Sequence, residues 1–147
     1  RIPFIVWAPG TAAPGDSDHV GFFPDLLATF CEAAGVKPDD ERDGISIYPL
    51  VSGRTSDQAR HDHLYFEFQG QLAVRRGAWK YYRDAEGNEA LYDLEHDRHE
   101  DNDLKESRPD VFEGLKKLCR QEHHDYEPLP SPRGFEPRFH RNGSAES

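Results

Sequence analysis

The sequence predicts an α/β chain, in detail an α+β fragment. A strand, a loop and a helix come first, then a small antiparallel sheet of about four strands packed by one helix. Three observations carry this. Residues 2–8 (IPFIVWA) form a continuous apolar run, residues 63–93 alternate in short runs between glycine turns, and an apolar stripe at helical spacing follows Pro109.

The run Ile2–Ala8 is rich in β-branched and aromatic residues and ends at Pro9-Gly10, which predicts a strand buried on both faces. A Gly/Pro/Asp loop follows, and Leu26, Leu27, Phe30, Cys31 and Ala34 then recur at helical spacing. Pro24 stands as a first-turn proline and Gly35 as the stop. Residues 37–43 read as a charged surface loop, Ile45–Val51 as a further apolar patch, and Arg54–Asp62 as a polar linker. Four strands are expected at His63–Phe68, Gln71–Arg75, Trp79–Arg83 and Glu89–Asp93; their close spacing requires antiparallel hairpins. The last helix carries Val111, Phe112, Leu115, Leu118 and Cys119 on one side, suited to cover one face of the meander. From His123 to Ser147 the chain is proline-rich with little to bury, and reads as an irregular tail.

The 147 residues carry a net charge of -10, with 35% hydrophobic and 31% charged residues. Leu, Ile, Val and Phe make up about a fifth, so the predicted core is thin. The acidic balance excludes general nucleic-acid binding, which needs a positive field against phosphates, and electrostatic attachment to anionic lipid. No stretch approaches the ~20 apolar residues of a membrane helix, and none resembles a signal peptide. The chain opens at Arg1, contains no Met, and enters an apolar run at once, as a fragment of a longer chain would.

Several residues invite chemical readings. Cys31 and Cys119 sit beside apolar neighbours in helical runs and are expected as buried thiols, with a disulfide as the alternative. The pairs His61/His63, His96/His99 and His123/His124 match no zinc-finger spacing and read as solvated surface histidines rather than metal ligands. Asp16, Ser17, Asp18 and His19 contain triad residue types but no G-x-S-x-G elbow. By strand alternation Trp79, Tyr81 and Arg83 share one face and Lys80 and Tyr82 the other. With Arg75 and Arg76 they make a basic, aromatic hairpin, read either as core aromatics with solvated charges or as an edge for a sulfated sugar.

Six segments, in order, resemble a known family. They are Arg1-Ile2-Pro3-Phe4 through Trp7-Ala8-Pro9-Gly10; Ser17-Asp18 through Asp25-Leu26-Leu27-Ala28-Thr29-Phe30; Asp43-Gly44-Ile45-Ser46 with Pro49-Leu50 and Gly53; Leu64-Tyr65-Phe66-Glu67-Phe68; Ala73-Val74-Arg75-Arg76-Gly77-Ala78-Trp79-Lys80; and Leu91-Tyr92-Asp93-Leu94. Together they resemble the C-terminal portion of sulfatases of the alkaline-phosphatase-like superfamily, although Ala28 stands where a proline is usual. The resemblance implies that residues 1–53 close a large α/β domain, 54–122 form a small antiparallel subdomain with its helix, and 123–147 are an irregular tail. It also explains a strand without neighbours.

Such enzymes attack sulfur with a formylglycine made from the Cys or Ser of C/S-x-P-x-R. A divalent cation, usually calcium on Asp and Asn oxygens, polarises the sulfate. Neither that motif nor the metal-binding acids occur here, so no catalytic or metal residue is assigned to this chain. What the resemblance implies instead is a catalytic half upstream as partner, with calcium and formylglycine lying there. The implied substrate is a sulfated small molecule or glycan, and the implied compartment periplasmic or secreted. His19, Glu67, Gln71 and Arg75 are the candidate substrate contacts, on the expectation that this subdomain borders the cleft. A non-catalytic glycan-binding module of sulfatase ancestry, or a phosphodiesterase or phosphonate hydrolase of the superfamily, are the alternatives. A strand deprived of neighbours also leaves an apolar edge that invites self-association.

Overall fold

The structure, a computed structural model, describes residues 2–12, 14–37 and 43–124. Most of the charged loop expected at 37–43, and the tail beyond His124, lie outside them. The elements in chain order are α1 (Pro24–Ala33), α2 (Tyr48–Val51), a single 3-10 turn at Thr55–Asp57, β1 (Leu64–Phe68), β2 (Gln71–Arg76), β3 (Trp79–Arg83), β4 (Glu89–Asp93) and α3 (Pro109–Glu122). No helix among the described residues is long and apolar enough to cross a membrane.

The strands pair as a meander, β1-β2-β3-β4, every pair antiparallel. Tyr65 faces Val74, Val74 faces Tyr81, and Tyr81 faces Leu91, so one row of side chains crosses all four strands on one face. Against that row α3 lays Phe112, Leu115 and Cys119, which with Leu72, Val74, Tyr81 and Leu91 form the buried cluster. The α3 stripe at i, i+3 and i+7 places these three on one side of the helix. Glycine is required at two of the turns: Gly70 and Gly77 have φ of 79° and 61°, the left-handed region a Cβ disfavours. Phe66, pairing with Ala73, points to the opposite face and meets Phe22 edge-on, with ring centres 6.3 Å apart.

Two expectations for the first half are corrected, and a third gains its local structure. Ile2–Ala8 is not a strand: it joins no sheet among the described residues, the Ala8 carbonyl accepts only the N–H groups of Thr11 and Ala12 in the turn that follows, and Ile5 and Trp7 are 88% and 86% exposed. A strand buried on both faces needs neighbours, and all four described strands lie between residues 64 and 93. The apolar patch at Ile45–Val51 folds into the short helix α2, with Pro49 in its first turn. Residues 54–62 are no free linker, since Gln58 Oε1 accepts the Leu50 N–H at 3.1 Å and its Nε2 donates to the Ser46 carbonyl at 3.0 Å. Cys31 and Cys119 are both free thiols; Cys119 is buried and Cys31 only partly so.

Candidate functional site

The most constrained polar group in the first half is Asp25. Pro24 opens α1 with its fixed φ, and Asp25, next in the first turn, sits where the helix N-terminus favours a carboxylate. Its side chain turns inward and is 1% exposed. One oxygen, Oδ2, accepts the Phe22 N–H at 2.9 Å; the other, Oδ1, accepts the Ile45 N–H at 2.8 Å and lies 2.8 Å from His61 Nε2. Because a carboxylate only accepts, Nε2 of His61 carries the proton of that bond. The imidazole is further held edge-on to the Phe22 ring, centre to centre 4.9 Å. One turn on, Thr29 Oγ1 donates to the Asp25 carbonyl at 2.6 Å and accepts the Ile47 N–H at 2.9 Å. Residues 22, 25, 29, 45, 47 and 61 are thereby tied into one knot that fixes α1, the segment leading into α2, and the approach to β1.

This geometry overturns the reading of His61 as a solvated histidine: its side chain is 10% exposed and faces a buried acid. His63 is likewise engaged, with Nδ1 3.2 Å from Asp62 and Nε2 3.2 Å from Glu122. His96, His99, His123 and His124 are exposed, as that reading expected, and the His96 ring lies 2.9 Å from Asp93.

The four candidate contacts fall in different places. His19 stands in the loop before α1, its N–H donating to Ser17 Oγ at 3.1 Å. Its imidazole lies beside Asp25, where partial burial and then the Arg60 charge push it below the usual histidine range. Glu67 lies on the α3 face of β1 and accepts the Tyr65 hydroxyl at 2.6 Å and His123 Nδ1 at 3.1 Å. These bonds, Tyr65 first, hold its carboxyl below the usual range. Gln71 and Arg75 project from the other face: Gln71 Oε1 accepts the Tyr82 hydroxyl at 2.6 Å, and Arg75 Nε donates to the Gly77 carbonyl at 3.0 Å. Glu67 is thus separated from Gln71 and Arg75 by the sheet itself.

The basic hairpin is largely neutralised. Lys80 Nζ binds both oxygens of Glu100, at 2.8 and 2.6 Å, and Arg76 pairs with Asp62. Arg76 and its partner stay exposed, at 54% and 68%, as the plainer reading of core aromatics with solvated charges expected, whereas Lys80 is partly buried in its pair. Among the described residues one group of three brings metal-ligand atoms within 4.8 Å of one another: Asp93, Glu95 and His96. It is a surface turn with one imidazole and two carboxylates, whereas calcium takes six to eight oxygens, so these residues do not fit the implied calcium.

The comparisons with known proteins decide the family. The family model described as "N-sulphoglucosamine sulphohydrolase, C-terminal" matches residues 1–124. This chain belongs to the sulfatase family, as a C-terminal portion. Among sulfatases it is 32% identical over 112 residues to the choline-sulfatase of Rhizobium meliloti (strain 1021), covering 73% of this chain and 22% of that one. It is also 32% identical over 116 residues to a Delta 4,5-hexuronate-2-O-sulfatase of Bacteroides thetaiotaomicron, covering 71% and 24%. The solved structure of a putative sulfatase from Bacteroides thetaiotaomicron superposes on 66% of this chain and 23% of its own, with TM-score 0.58 and 26% identity. The four-stranded antiparallel sheet with its helices is therefore the sulfatase C-terminal fold. The chain spans under a quarter of the length of these curated sulfatases.

Proposed function

We propose that this chain serves an enzyme that hydrolyses sulfate esters of an aryl or carbohydrate substrate, and that the chain alone turns over nothing. The observation that carries this reading is the orientation of α1. The helix turns Asp25, Ala28 and Thr29 inward and presents Phe23 and Phe30, 71% and 64% exposed, together with Leu27, outward. A helix with its carboxylate inside and its phenylalanines outside is built to lie between two bodies, one of which the described residues supply. The exposed apolar run Ile2–Trp7 adds to that uncovered surface, and apolar patches of this kind mark interaction sites.

In this reading the covering body is the α/β portion of a sulfatase, bearing the formylglycine and the divalent metal, calcium in the usual case. A periplasmic or secreted location belongs to the same reading. Of the four candidate contacts, His19 is the one favoured to meet substrate. Its ring stands in a loop beside the Asp25 knot, whereas Glu67, Gln71 and Arg75 are engaged within the sheet.

The test is a turnover assay of the purified chain with 4-nitrophenyl sulfate, with and without added calcium. Release of nitrophenol at the buffer rate is expected. Hydrolysis that co-purifies with the chain contradicts the proposal.

A further inference from the structure

The loop before α1 closes over the Asp25 carboxylate. Oδ1 is covered by the Ile45 N–H and His61. Oδ2 is covered by the loop: it accepts the Phe22 N–H at 2.9 Å, and a Cβ built on Gly21 lies 2.9 Å from it. Glycine at that position lets the chain pass so near the acid. The same built Cβ lies 3.9 Å from His19 Cδ2, so the imidazole stands beside the crossing. The Phe22 ring anchors the end of the loop, edge-on to His61 at 4.9 Å and to Phe66 at 6.3 Å. Residues 19–22 are thus a lid whose closed position leaves Asp25 1% exposed.

His19 is the titratable side chain of that lid. The charged and titratable groups facing it are Arg60 and His61 from the stretch before β1, and Asp25 from α1. Asp16 and Asp18, on the same loop, are exposed, where water and salt screen them. One carboxylate therefore meets three basic groups, and both its oxygens are already engaged. A proton on His19 adds positive charge beside Arg60, which is always charged, and the acid has no oxygen to spare for it. Burial first, and then Arg60, hold His19 below the usual histidine range; Asp25 opposes this and His61 adds to it. The closed lid disfavours the imidazolium, so it binds fewer protons than the open one as pH falls through the ordinary histidine range. Its stability is present at neutral pH and lost on acidification.

We propose that residues His19–Phe22 form an acid-opened lid: protonation of His19 moves the loop off Asp25, breaks the Phe22 N–H bond to Oδ2 and lets water reach the carboxylate. The sheet takes no part, because its buried cluster contains none of these residues. The opening holds whether or not His19 meets a substrate, and does not depend on the ester-hydrolase reading.

The experiment follows the whole chain by NMR from about pH 7.5 to about pH 5, the span in which free histidine gains its charge. The Phe22 amide should lose most of its exchange protection over that span, at the midpoint where the His19 Cε1–H titrates. Amides of Val74, Tyr81 and Leu91 should keep theirs. His19→Gln carries a neutral side chain of similar reach and should leave Phe22 protected at the acid end. In the parent chain, a Phe22 amide equally protected at both ends of the span, or one that follows the His61 titration instead, overturns the proposal. So does the same acid loss in His19→Gln.

Discussion

Asp25→Ala is expected to release the whole first section from the sheet while leaving the sheet itself folded. The substitution removes the acceptor from two backbone N–H groups, those of Phe22 and Ile45, and from the His61 imidazole at once. All three then lie in a site where the carboxylate had been 1% exposed, so water does not replace it freely. Removing one member of such a buried, charge-assisted network destabilises by about 3–5 kcal/mol. Hydrogen exchange separates the two sections. Amides of α1 and residues 45–47 should lose most of their protection, while those of Val74, Tyr81 and Leu91, in a cluster that does not include Asp25, keep theirs. His61→Ala leaves the two backbone bonds in place and should give a smaller loss, about 1–3 kcal/mol. Equal protection in Asp25→Ala and the parent chain would refute the knot.

The second large effect comes from the smallest side chain. A Cβ built on Gly44 lies 2.2 Å from the Pro24 carbonyl oxygen and 2.5 Å from its carbon, with the Asp25 nitrogen at 3.0 Å. All three atoms belong to backbone in the first turn of α1, and no rotamer change relieves the overlap. Gly44→Ala must therefore push residues 43–45 away from the helix, which also pulls the Ile45 N–H off Asp25. A loss of about 3 kcal/mol or more is expected, at the upper end for overpacking because a buried bond goes with it. Gly15→Ala is the control: nothing lies within 4 Å of its Cβ and its φ is not left-handed. Urea melts of the two variants should differ strongly in midpoint, and a Gly44→Ala chain as stable as Gly15→Ala would show that the loop does not pack as described.

The sheet was legible because its signals are local. Strands β3 and β4 fall on the residues the alternation predicts, β1 and β2 within one residue, and α3 begins at the Pro109 that announces it. Pairing across short glycine turns leaves little freedom of register, and the α3 stripe names its own buried side. The first half resisted for the opposite reason. Periodicity assigns Leu27 and Phe30 to a core, yet those side chains point outward and Asp25 points in. A hydrophobic pattern records which residues are buried in the finished protein and not by which body, so it misleads wherever part of the cover is not in the chain at hand. The same holds for Ile2–Trp7, apolar as any buried strand and exposed among the described residues.

The knot itself had a faint signature: an Asp in the first helical turn, a Thr four residues on, and a glycine before the next apolar run. Its partner His61 lies 36 residues from Asp25, and no local rule joins residues so far apart. The sequence also sets His61 and His63 down as a pair, read alike as solvated histidines. The structure gives them different partners, Asp25 for one and Asp62 with Glu122 for the other. For the sheet candidates, register separates what sequence proximity suggested: Glu67 and Gln71 are near neighbours in sequence on opposite faces of the meander.

The central claim is that these residues complete an ester-hydrolysing body encoded with them. The most direct measurement is the coding sequence read in frame upstream of the Arg1 codon. The account predicts an open frame there that contains C/S-x-P-x-R and, apart from it, the Asp and Asn residues of a hard-cation site. An in-frame stop, or an initiating Met followed at once by Arg1, would contradict it.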